Sequence, residues 1–147
     1  MYICLGTTIK KAGSKKEFIK VDYDYCLAMA NKARMAGATK LSLVSSVGAN
    51  SKTNNFYLRI KGELEEAIKK IDFSTINIYR PSLLIGKRSE KRLLEILGQN
   101  ISTFINPFLQ GSLKKYRSID VKILASCIVN SKKIDDLNYF YYNDFFK

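Results

Sequence analysis

The chain of 147 residues contains no histidine, so acid–base chemistry near neutral pH must fall to other side chains. Its eight glycines, at 6, 13, 37, 48, 62, 86, 98 and 111, are never closer than seven residues. That spacing excludes a P-loop and a Gly-x-Gly-x-x-Gly dinucleotide turn within this sequence. Three cysteines, Cys4, Cys26 and Cys127, lie far apart in apolar surroundings with no Cys-x-x-Cys. They are expected to be reduced, buried thiols of a cytoplasmic protein, and they speak against a disulfide framework or a metal site. No charged leader precedes an apolar stretch and no apolar run approaches bilayer-spanning length, so no membrane partner is expected. Repeats and low-complexity tracts are absent.

What is present fits one folded domain over residues 1–147, since 46% of residues are hydrophobic and the charges are mixed. The net charge of +12, from 25 Lys and Arg against 13 Asp and Glu, invites a nucleic-acid or anionic-membrane reading. Its distribution argues otherwise. The basic residues come as scattered pairs (Lys10/Lys11, Lys15/Lys16, Lys69/Lys70, Lys114/Lys115, Lys132/Lys133), without an arginine-rich helix or alternation with aromatics. We read them as a solvated, lysine-heavy surface with no nucleic-acid partner, attraction to a phosphorylated cofactor being a secondary benefit.

The most informative stretch is Val44 to Lys61, VSSVGANSKTNNFYLRIK. It holds a serine pair, a glycine turn, and a tyrosine followed four residues later by a lysine. Residues four apart share a helix face, so Tyr57 and Lys61 project together. A free phenol titrates near 10 and is a sluggish acid at neutrality; a cation beside it favours the phenolate and makes it a usable proton donor and acceptor. Nine tyrosines and nineteen lysines nevertheless give about 1.2 such pairs by chance in a chain of this length. The pair alone therefore decides nothing, and Tyr57 could equally be a half-buried helix tyrosine while Lys61 pairs with Glu65 on the same face.

Context adds weight. Lys40–Ser45 alternates like a strand and ends at the serines, and Asn55–Ile71 carries apolar residues at helical spacing. Tyr2–Leu5 and Ser74–Tyr79 read as further strands, and Asp22 as the cap of a helix to about Ala36 that Gly37 stops. Such alternation implies α/β architecture with parallel strands and right-handed crossovers, the serines and the tyrosine meeting at the strands' C-terminal edge, where ligands bind. Further on, Ser89 caps a helical segment to Leu97 that Gly98 ends, Gly111–Arg117 reads as loop, and Asp120–Val129 as a more apolar helix. The last nine residues crowd in six aromatics, Tyr139, Phe140, Tyr141, Tyr142, Phe145 and Phe146. They suit either a final strand packed on neighbouring helices or a contact surface for a partner.

Six ordered runs, CLGTT (Cys4–Thr8), KAG (Lys11–Gly13), FIKVDYDY (Phe18–Tyr25), LSLVSSVGAN (Leu41–Asn50), FYLRIKGELEE (Phe56–Glu66) and YRPSLLIGKR (Tyr79–Arg88), carry a family resemblance. Together they resemble the atypical short-chain dehydrogenase/reductases of the Tat-interactive-protein oxidoreductase type, from Cys4 to about Val129. The resemblance implies a partial Rossmann-like, doubly wound parallel sheet with helices on both faces. It implies an oxidoreductase using NADP(H) or NAD(H) on a small carbonyl or alcohol substrate. Tyr57 would be the proton donor, Lys61 its activator and ribose ligand, and Ser46 the carbonyl-orienting hydroxyl, with Ser45 its less favoured neighbour. Gly6, Thr7 and Thr8 would line the ribose side, and Pro81, Ser82 and Leu83 the nicotinamide amide. Pro81 could equally just terminate a strand.

The departure from the family is equally specific. Its members open with a strand, a glycine-rich turn and a helix that hold the pyrophosphate. This sequence is expected to begin at the family's fourth strand, leaving an edge at Tyr2–Leu5 through which copies would self-associate, or which would make the chain poorly soluble. Two functions follow from different classes: a nicotinamide-dependent reductase, or a non-catalytic remnant or interaction module that has lost dinucleotide binding.

Overall fold

The computed structural model describes residues 1–86, 110–131 and 136–147. They fall into two compact units, Met1–Arg80 with Lys132–Tyr139, and Pro81–Ser131 with Phe140–Lys147. The helical segment expected from Ser89 to Leu97 lies outside the described residues.

The first unit is an α/β layer around a sheet of order β1-β2-β3-β6, formed by β1 (Tyr2–Ile3), β2 (Lys40–Val44), β3 (Thr75–Tyr79) and β6 (Leu137–Phe140). β1 pairs with β2 and β2 with β3 in parallel, with Ile3 beside Leu43 and Val44 beside Tyr79. The strand C-termini therefore lie along one edge, and β1 is an edge strand. All five residues of β3 are buried, as a strand covered on both faces requires. The alternation in β2 sends Leu41 and Leu43 into the core, where they meet Ile3, Ile76, Ile78, Cys26, Ala30, Leu64, Ile68 and Phe73. A buried amide pair, Asn138 Nδ2 donating to Asn77 Oδ1 at 3.0 Å, ties β6 to β3.

Helix α1 (Ile9–Ala12) is a single turn capped by the Thr8 side chain. The next helix differs from the sequence expectation. It starts at Lys15, with the Ser14 hydroxyl accepting from the Glu17 N–H, and runs as α2 (Lys15–Ile19), a π-helical turn (Lys20–Tyr25) and α3 (Cys26–Met35). Asp22 is not a cap: it sits in the π turn and is buried. The reason is its place in a stripe of Phe18, Asp22, Cys26 and Ala30, all buried. Positions spaced strictly by four drift about 40° per step on an α-helix, or about 120° from the first to the last. One π turn takes up an extra residue and brings the stripe back onto one face.

Helix α4 (Phe56–Ile68) follows β2 and begins where Asn55 Oδ1 accepts from the Leu58 N–H at 3.1 Å. The loop before it turns at Gly48, whose φ of +81° suits glycine, and docks on the helix through the Asn50 N–H donating to the Leu58 carbonyl at 3.1 Å. There the helix presents Gly62. A Cβ at that position would lie 2.3 Å from Ser51 N and 2.4 Å from the Asn50 carbonyl carbon, so no side chain fits.

The second unit contains β4 (Leu84–Ile85) paired in parallel with β5 (Ile119–Asp120), and α5 (Val121–Asn130) capped by Asp120. Gly111–Tyr116, expected as loop, is a 3₁₀ helix. The aromatic tail divides: β6 takes its first part and a 3₁₀ helix, Tyr142–Phe146, takes the rest, with Phe140 and Phe145 buried and Phe146 exposed. Among the thiols only Cys26 is fully buried; Cys4 is exposed and Cys127 half-buried, because Cys4 lies just past the short edge strand.

Candidate active site

Parallel register gathers three strand exits along one edge: Gly6 and Thr7 after β1, Ser45 and Ser46 after β2, Arg80 after β3. Such an edge is where open α/β sheets bind ligands. Tyr57 and Lys61 stand on α4, one turn apart, and the Lys61 ammonium lies 6.0 Å from the centre of the Tyr57 ring. Tyr57 is 38% exposed. Its ring stands edge-on to Phe18 at 5.9 Å, and Phe18 also packs on Phe56 at 5.5 Å, so α2 braces the phenol from below.

Lys61 is buried, its side chain 6% exposed, with Nζ 2.8 Å from Oδ1 of Asp22, itself 1% exposed. Asp22 Oδ2 accepts the Thr7 N–H at 2.7 Å. Oδ1 makes no aligned hydrogen bond, so it meets the ammonium as a charge contact. Gly6 borders this pair: a Cβ there would lie 3.3 Å from Asp22 Oδ1 and 3.7 Å from Lys61 Nζ. The Cys26 thiol is pushed up from 9.0 to about 11, mainly by burial, with Lys61 pulling it down and Asp22 pushing it further up.

The alternative pairing of Lys61 with Glu65 does not form. Glu65 is buried and accepts from the Ser45 hydroxyl and, through both oxygens, from Arg80, with Arg80 Nε at 3.1 Å from Oε1. Arg80 in turn lies over the Tyr139 ring at 4.6 Å. The serines thereby divide. Ser45 is buried and committed to Glu65, whereas half-buried Ser46 makes one long contact, 3.4 Å, to the Val47 carbonyl.

The remaining expected positions have local roles. Thr8 caps α1 through its side chain. Pro81, Ser82 and Leu83 open the second unit: Pro81 is buried, the Ser82 hydroxyl donates to the Arg117 carbonyl, and the Leu83 carbonyl accepts from the Ile119 N–H at 3.0 Å. Among the described residues no cluster of three metal-ligating side chains occurs, and no helix is long and apolar enough to cross a membrane.

Sequence reasoning missed Asp22, Phe18, Gly62 and the Glu65–Arg80 pair as parts of this site. One signal was available. An aspartate in an otherwise apolar stripe of four-residue spacing is buried, and a buried carboxylate demands a cation.

No family model matches the chain. Individual relatives do. "Protein fmp52, mitochondrial" of Emericella nidulans is 41% identical over 114 residues, 78% of this chain and 46% of the relative. "Protein HTATIP2" of Rattus norvegicus is 38% identical over 91 residues, 62% of this chain and 37% of the relative. "Protein FMP52, mitochondrial" of Candida albicans is 40% identical over 122 residues, 82% of this chain and 53% of the relative. The chain spans about half the length of the curated relatives it matches. Their names overturn the cytoplasmic placement expected from cysteine usage: several carry the word mitochondrial. Wide cysteine spacing without a Cys-x-x-Cys speaks only against a disulfide framework and does not distinguish the cytosol from another reducing compartment. With its parallel sheet and these relatives, the chain is related to the Fmp52 and HTATIP2 proteins, a relationship of the short-chain dehydrogenase/reductase-like kind.

Proposed function

We propose that this chain acts as an NAD(P)(H)-dependent oxidoreductase of the short-chain dehydrogenase/reductase type on a small carbonyl or alcohol, in association with mitochondria as its relatives' names suggest. The observation that carries the reading is the placement of Lys61 beside Tyr57 at the C-terminal edge of the parallel sheet, locked there by Asp22. The residues suit a nicotinamide ribose. Lys61 brings three N–H donors, and glycine at position 6 leaves the space beside the ammonium free of a side chain. When bound, the cofactor supplies the hydride.

The chain's own share is positional and acid–base. Tyr57 Oη gives its proton to the substrate oxygen as charge develops there, or takes it in the reverse direction. The Ser46 hydroxyl donates to the same oxygen and orients it. Lys61 supplies positive charge beside the phenol and holds ribose hydroxyls. Gly6 and Thr7 would flank the ribose, and Thr8 would hold their turn through its cap. General acid assistance of this kind contributes about 10²–10⁴-fold.

Titration of the 147-residue chain with NADPH and NADH, followed by nucleotide fluorescence, tests the reading. Binding is expected, weakened at least about tenfold by Lys61→Met, because a charged donor to the ribose is lost. Tyr57→Phe keeps cofactor affinity while turnover of small aldehydes falls at least about a hundredfold. Equal turnover in Tyr57→Phe refutes the proton-donor role. A second reading, a non-catalytic interaction module, is favoured by the wide spacing of the glycines, which leaves no pyrophosphate cradle within this sequence. Absence of nicotinamide binding by a folded chain would support it.

A further inference from the structure

Among the described residues, the Lys61–Asp22 contact is the one buried ion pair at this edge whose carboxylate comes from a different helix and also holds the backbone of a strand exit. Asp22 stands in the π turn between α2 and α3, on a stripe otherwise made of Phe18, Cys26 and Ala30. A carboxylate placed there is costly without a cation, and the ammonium of Lys61, at 2.8 Å, meets that need. Its two oxygens serve two partners, Oδ1 the ammonium and Oδ2 the Thr7 N–H at 2.7 Å. The competing carboxylate on α4, Glu65, is held by Ser45 and Arg80.

We propose that Asp22 is the positioning residue of the site, coupling the Lys61 ammonium to the Gly6–Thr7 turn so that both are preset before a ligand arrives. The proposal rests on the reading that Lys61 serves a nicotinamide ribose. Gly6 is the physical link between the two partners: a side chain there would crowd both the carboxylate and the ammonium, at 3.3 and 3.7 Å from its Cβ. Asp22 touches neither substrate nor cofactor in this role and acts through Lys61 and Thr7. Preorganisation of this sort lowers the ordering cost of binding.

The test uses the full chain with Asp22→Asn, which keeps the shape and an acceptor for Thr7 while removing the charge. The first readout needs no cofactor. A buried, ion-paired lysine ammonium gives a resolved ¹⁵N-correlated NMR signal, assigned by its loss in Lys61→Met, and Asp22→Asn is expected to abolish it. The second is NADPH affinity, expected to fall at least tenfold in Asp22→Asn. Ser14→Ala, which weakens the cap of the same helix without touching the pair, is expected to leave affinity within twofold. Should Asp22→Asn fold poorly, Asp22→Asn/Lys61→Met removes both charges; it is expected to recover thermal stability and still bind NADPH weakly. A Lys61 signal retained in Asp22→Asn overturns the proposal, as does wild-type affinity in that variant. Failure of the wild-type chain to bind NADPH defeats the underlying reading instead, and the ammonium signal then decides the positioning role by itself.

Discussion

Replacing Gly62 by alanine sets two forces of opposite sign against each other in one substitution. Gly62 lies inside α4, and in an open helix interior glycine is about 1 kcal/mol less favourable than alanine, so propensity alone predicts stabilisation. The structure predicts the reverse. The new Cβ would lie 2.3 Å from Ser51 N, 2.4 Å from the Asn50 carbonyl carbon and 2.7 Å from Asn50 Cα. Ordinary contact between such atoms is about 3.5–4.0 Å, so the loop must withdraw by roughly 1 Å. All three obstacles are backbone atoms, which cannot swing aside as a flexible side chain does. Overpacking costs about 1–3 kcal/mol, and withdrawal breaks the Asn50 N–H bond to Leu58, worth about 1 kcal/mol. Against the propensity gain, the net is a loss of about 1–3 kcal/mol. Urea denaturation followed by circular dichroism should show a midpoint lower by roughly 0.5–2 M, given slopes of about 1–3 kcal/mol/M for small proteins. Because the same loop carries Ser46, turnover should fall even where the variant is fully folded. A midpoint equal to or above that of the parent chain would show that loop and helix do not meet as closely as described, and the placement of Ser46 would fall with it.

Two further expectations concern the buried charges and the thiol. Glu65→Ala removes the acceptor shared by Ser45 and Arg80 and should cost about 3–5 kcal/mol in the same denaturation assay, toward the lower end because Arg80 is partly exposed. A loss under about 1 kcal/mol would mark the pair as a solvated contact. The Cys26 thiol is raised to about 11 in the folded chain, so its contribution to stability is complete below pH 9 and is lost as pH rises through 11, on the order of 2–3 kcal/mol in all. Parent and Cys26→Ala chains should therefore differ in the slope of stability against pH between 9 and 11, and parallel curves would refute the burial argument.

Much of the fold was legible because it is written in short-range patterns. Alternation marked β2 within Lys40–Ser45, apolar residues at helical spacing marked α4 within Asn55–Ile71, and Asp120–Val129 read as the helix that forms α5. The start of the long helix was not legible. Ser14 and Asp22 are both good capping residues, and local preference ranks them alike. Burial decides between them: Asp22 joins the Phe18–Cys26–Ala30 stripe, and the π turn keeps that stripe aligned. The aromatic tail was half legible, since strand propensity describes β6 but not the 3₁₀ turn that follows it.

By itself the sequence determined the α/β class, a strand exit at Ser46 with Tyr57 and Lys61 one turn apart on the helix that follows, and the wide glycine spacing that denies this stretch a phosphate loop of its own. These follow from periodicity, capping and spacing, which act over one or two turns of chain. Tertiary structure alone decided which acid meets which base. On the α4 face Glu65 was the nearer partner for Lys61, yet Asp22 takes the lysine while Glu65 takes Arg80 and Ser45. The physical reason is desolvation: once buried, each charge is paired by the counter-charge that packing brings to it, and proximity along the chain no longer sets the choice.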